Sequence, residues 1–234
     1  MATHLTDIVF DAADPARLAR FWSALLERPE LAMDTDKAVI GLNDTVSLTF
    51  SRLTDQTKVV KNRLHPDLAS LSPDDQRAVV ERALAAGARR VDVGQGAVPW
   101  CVLADPEGNE FCVLEPRDEY MGIGRLAAIV IDALDPRTLV RFWSHATGLP
   151  VTRDHPEYAS LSQPGSFWVE FVRVDQPKRI PNRVRIAVAS PGPLADDAAR
   201  LRRHGATMPD IDPDAPDAVA ADPDGNEFTL RHIA

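Results

Sequence analysis

The sequence predicts an α+β protein made of four strand-helix-strand-strand-strand modules, two in each half of the chain. Two observations carry this. LTDIVFDAADPARLARFWS from Leu5 returns as LAAIVIDALDPRTLVRFWS from Leu126, with about a dozen of nineteen positions identical, far above chance. DPEGNEFCVLEP, residues 105–116, returns as DPDGNEFTLRHI, residues 222–233. One phrase opens a unit, the other closes it, and both occur twice.

In the opening phrase, Leu5 to Asp11 alternates as a strand, with Asp7, Val9 and Asp11 on one face and Ile8 and Phe10 on the other. Asp14-Pro15 then supplies an N-cap and a first-turn proline. Leu18, Phe21, Trp22 and Leu25 follow at helical spacing as an apolar stripe, which makes Trp22 a core residue. The second copy repeats this with Asp135-Pro136 and Leu139, Phe142, Trp143 and Ala146. Short β-rich runs come next, AVIGL and VSLTFSRL in the first copy, YASLS and SFWVEFVRV in the second.

Each copy starts again near Asn62-Arg63 and Asn182-Arg183. NRLHPDLAS is a strand, Ser72-Pro73 starts a helix, and Gly87 ends it because a residue without Cβ suits a helix stop. RRVDV, VPWCVLA and EFCVLE complete three more strands. NRVRIAVAS leads in the same way to a helix ending near Gly205 and to the closing strand EFTLRHI. The polar, glycine-containing segment 115–125 lies between the copies, so the expected domains are 1–116 and 123–234.

Composition narrows the partners. The 234 residues are 44% hydrophobic with a net charge of −9. That balance suits a globular protein and argues against nucleic acid or an anionic membrane as partner. The N-terminal residues lack a basic region followed by a long apolar one, and no run approaches the length of a membrane span. Cys101 and Cys112 are too few for a disulfide framework. A cytoplasmic protein with reduced thiols is expected, as monomer or homodimer. A glycine-rich phosphate loop, a GxSxG elbow and an HExxH motif are all missing from the sequence.

The paired modules, the DxxDPxxLxxFW openings (Asp11 to Trp22, Asp132 to Trp143) and the DPxGNEF turns resemble the vicinal oxygen chelate superfamily, in its glyoxalase-like and bleomycin-resistance-like branch. The resemblance covers nearly the whole chain. It implies cup-shaped mixed β-sheets with helices outside and a small-molecule cavity within. It also implies metal ligands, usually His and Glu, on the first and last strands of the modules. Those positions fall near Asp7, Ser47 or Thr49, His65 and Cys112 in the first domain. In the second they fall near Ala128, Trp168 or Glu170, Arg185 and Thr229. Most of these residues are poor ligands, so the expectation is a cup without metal or other cofactor. The alternative is a divalent ion in the first domain, on Asp7, His65 and Cys112.

The candidate catalytic residues are His65, Asp67 and Asp7, because His65 and Asp67 share one strand face and a cavity histidine exchanges protons near neutral pH. Candidate ligand contacts are Trp100, Glu110, Cys112, Thr49, Trp168, Glu170 and Arg185. Glu170 is expected to pair with Arg185, Cys101 to face Cys112 across the last hairpin, and Asp11 to cap the turn into the first helix. Two function classes follow: a metal-free binder of a small organic molecule, or an enzyme (lyase, isomerase, epimerase or dioxygenase) using a metal or His65.

Overall fold

The computed structural model describes residues 3–53, 58, 60–209 and 215–233. The first module runs β1 (His4–Ala12), α1 (Pro15–Leu26), β2 (Glu30–Met33), β3 (Lys37–Gly41) and β4 (Ser47–Arg52). The second runs β5 (Leu64–Leu68), α2 (Pro73–Ala85), β6 (Arg89–Arg90), β7 (Cys101–Ala104) and β8 (Glu110–Val113). After a single 3-10 turn at Asp118–Tyr120, the third module is β9 (Leu126–Ala133), α3 (Pro136–Thr147), β10 (Val151–Asp154), β11 (Tyr158–Leu161) and β12 (Trp168–Arg173). The fourth is β13 (Val184–Ser190), α4 (Leu194–Arg203), β14 (Asp217–Ala221) and β15 (Glu227–His232). In this last module the strand after the helix is reduced, among the described residues, to one bridge between Thr207 and Ala221.

The helices start where the sequence places their caps. Asp14 and Asp135 accept the backbone N–H of Arg17 and Arg137. Ser72 accepts that of Asp75, and Gly87 follows α2 at φ +104. Trp22 and Trp143 are fully buried, as the apolar stripe requires. Each indole N–H donates to the aspartate of its own copy's closing turn, Trp22 to Asp105 at 3.3 Å and Trp143 to Asp222 at 3.1 Å. The opening and closing phrases therefore recur together because one satisfies the buried donor of the other.

The sheets do not follow the copies. One has the order β14-β15-β13-β1-β4-β3-β2, the other β10-β11-β12-β9-β5-β8-β7-β6. β1 pairs antiparallel with β13, and β5 with β9. Each sheet thus joins one module from each half of the chain, and one apolar core runs through both halves. This corrects the expectation that the ligand positions converge within a copy. Among the described residues, no helix is long and apolar enough to cross a membrane.

Candidate functional site

The concave face of the second sheet carries the site. On β5 the alternation buries Leu64, Pro66 and Leu68 and turns His65 and Asp67 toward a cavity of about 1000 Å³. Register fixes their neighbours: Asp67 lies beside Cys112 on β8, His65 beside Val130 on β9, and Val130 beside Glu170 on β12. The walls come from residues 60–63 and from the connection 174–184 that leads out of β12. The linker between the copies adds Arg117 to the lining, and its Tyr120 bonds the lining residue Glu170.

His65, Asp67 and Cys112 bring one donor atom each within 4.8 Å of one another. His65 Nε2 stands 3.5 Å from Asp67 Oδ1, too far for a good hydrogen bond. Among the described residues, His65 Nδ1 and Asp67 Oδ1 are buried without a hydrogen-bond partner. Burial, reinforced by Lys61, drives the His65 pKa down to about 3. Burial, reinforced by Glu170, drives the Asp67 pKa up to about 7. The two are close enough to count as an ion pair by distance, yet at neutral pH the imidazole is uncharged and no ion pair exists. The Cys112 thiol is pushed far up by burial and then by Asp67, so it stays protonated.

Across Val130 lies a second carboxyl. Tyr120 Oη donates to Glu170 Oε1 at 2.8 Å, and burial raises the Glu170 pKa. Tyr120 also stands edge-on to Trp168, 5.8 Å between centroids, while Arg153 lies 4.7 Å over the other ring. Trp100 lines the cavity, with Arg117 over its ring at 5.8 Å.

The remaining candidates sort differently. Asp7 and Thr49 lie on the other sheet, where Thr49 donates to Asp7 at 2.8 Å and Arg231 donates to its second oxygen at 3.1 Å. Asp7 therefore does not join His65. Arg185 does not meet Glu170 either, because the two belong to different sheets. It grips Asp11 with two bonds of 2.6 Å, while Asp14 caps the helix. Salt-bridged arginines thus occupy the polar positions of that face.

Glu110 is held by Lys58 and by the backbone N–H of Asn62, and Glu227 is held identically by Lys178 and Asn182. The repeat conserves a clamp that fixes the start of β5 and of β13. Cys101 faces Val113, and Cys112 faces Val102, so the thiols are one register step apart. Both are free. Sequence reasoning missed Tyr120, Arg117, Lys61 and Val130. The single aromatic in the polar linker was the available signal for Tyr120.

A family model described as a glyoxalase-like domain matches residues 7–114 and again 128–231. No curated protein matches. Among solved structures, glyoxalase I from Zea mays is 17% identical with a TM-score of 0.71, over 99% of this chain and 92% of that one. A putative dioxygenase from Bacillus subtilis is 10% identical with a TM-score of 0.62, over 99% and 85%. At these identities the likeness is one of fold.

Proposed function

Because this chain belongs to the glyoxalase-like domain family, with two copies of the domain in tandem, we propose that it binds a small organic molecule in the cup of β5, β8, β9 and β12. The observation that carries the reading is a pair of buried, unpartnered polar atoms, His65 Nδ1 and Asp67 Oδ1, beside a cavity of about 1000 Å³. Unmade hydrogen bonds in a buried site are costly, and a bound molecule that makes them recovers that cost. Asp67 is the group that exchanges protons near neutral pH, and neutral His65 accepts or donates one hydrogen bond to orient it or its ligand. The free thiols fit a reducing cytoplasm.

Thermal shift tests this with Val130→Trp, whose ring fills the cavity from β9. Ligands at about 100 times Kd stabilise a protein by roughly 2.7 kcal/mol. Small molecules that raise Tm of the wild type and leave the filled variant unmoved support the cup. Equal shifts in both place binding elsewhere.

We propose further that this works without metal. The convergence of His65, Asp67 and Cys112 favours a second reading, a divalent ion. The donor set fits poorly: ligands about 2.0–2.3 Å from one tetrahedral ion lie within about 3.8 Å of each other, and these spread to 4.8 Å. Cys112 must also lose a strongly held proton, and Ala128 and Val130 offer no further donor. In the second reading these three side chains would hold the ion. Elemental analysis after dialysis against a weak chelator separates the two, since about one metal per chain overturns the metal-free reading.

A further inference from the structure

We propose that the cup takes an organic anion, its charged end held at the mouth by Arg173 and Arg179 and its apolar body lying along Trp100 and Val130. This rests on the reading of the cup as a small-molecule site and adds the chemical class of the ligand.

The charge of the cavity opposes that of the chain. Eight Lys and Arg side chains line it against four Asp and Glu, in a protein of net charge −9. Such a local inversion draws anions in and focuses the field within low-dielectric walls. The acids cancel little of it. Asp132 is spent on Lys61 at 2.7 Å, and Glu170 accepts the Tyr120 hydroxyl at 2.8 Å. Asp175 is the remaining acid of the lining besides Asp67.

Several of the cations are already committed. Lys58 and Lys178 hold Glu110 and Glu227, and Arg63 and Arg183 hold backbone and carboxylate groups of the frame. Those left over mark the ligand's position. Arg179 has no ion pair or hydrogen bond among the described residues and is exposed on the connection that overhangs the cavity. Arg173, at the end of β12, reaches Glu157 only at 3.9 Å. Arg117 spends its Nε on Glu115 at 2.8 Å, lines the cavity and lies with its guanidinium carbon 5.8 Å from the Trp100 ring centre. Guanidinium groups match carboxylate, phosphate or sulfonate by paired hydrogen bonds, and an indole face accepts a planar apolar body. A cationic ligand would meet like charge at every one of these groups.

A matched pair of fluorescent probes tests the charge directly. 8-Anilinonaphthalene-1-sulfonate and N-phenyl-1-naphthylamine share the phenylnaphthylamine body, and only the first carries a sulfonate. Titrated into the full chain, the sulfonate should bind at least about fivefold more tightly, and added salt should erode that margin. Arg173→Ser with Arg179→Ser, both at exposed positions, should remove most of the margin and leave the neutral probe unchanged. Equal binding of both probes overturns the anion and leaves the cup standing. A margin untouched by the arginine substitutions overturns the placement. If neither probe binds, the small-molecule reading falls and this inference falls with it.

Discussion

Two buried groups on one strand face shape the pH behaviour of the protein, with opposite signs. Asp67 has a folded pKa near 7 against an ordinary value of 3.8. Between about pH 4 and 7 the folded state keeps a proton the unfolded state has lost, so this group's contribution to stability falls as pH rises. His65, near 3 against 6.5, does the reverse: the unfolded state is the protonated one between about pH 3 and 6.5, and stability rises with pH. In the wild type the two slopes largely cancel. Asp67→Asn should expose the histidine alone, giving stability that climbs from about pH 3 to 6.5. His65→Asn should expose the acid, giving stability that falls from about pH 4 to 7. Urea denaturation at stepped pH measures both, and parallel curves for the two variants would contradict the assignment. His65 and Asp67 were legible as cavity residues because period-2 alternation on a short apolar strand places them there. Which group titrates was not legible, since it depends first on burial in the folded cavity and then, for Asp67, on Glu170, about a hundred residues away.

Among the elements, the helices and their caps were legible and the edge strands β2 and β10 were not. Asp14, Ser72 and Asp135 signal helix starts by local chemistry that needs no tertiary context. β2, Glu30–Met33, is exposed at every position, and β10, Val151–Asp154, nearly so. A strand at the end of a sheet buries neither face, so no alternation marks it. The closing turn is the element whose loss should be most informative. Asp222 is buried and accepts from Trp143, Asn226 and the backbone of Asp224. Asp222→Ala strands these donors and should cost about 2–4 kcal/mol, as should Asp105→Ala in the first copy. Chemical denaturation compares them, and a loss below about 1 kcal/mol in both would show that the recurring turn is not a hydrogen-bonding device.

At the scale of the whole molecule, the repeat was legible and the pairing was not. β1, β5, β9 and β13 have similar apolar patterns, so nothing local tells β1 to pair with β13 instead of β5, or β5 with β9. The expected consequence is that neither half is self-sufficient. Residues 123–234 alone would leave β9 and β13, both largely buried, each without one of its two neighbours. Such bare interior edges should drive that fragment to self-associate or unfold. A stable folded monomer of the fragment in size-exclusion chromatography would contradict the cross-copy sheets. The same pairing puts His65, Asp67 and Cys112 from one half opposite Glu170 and Val130 from the other, so the cup exists only in the assembled chain. The most direct test is a crystal structure of the full chain with whichever of the two naphthyl probes binds more tightly. One probe molecule per chain, lying over Val130 between the His65–Asp67 face and Glu170, is the predicted result. A probe bound on the sheet of β1 and β13 beside Arg185 and Arg231, with this cup left vacant, would contradict it.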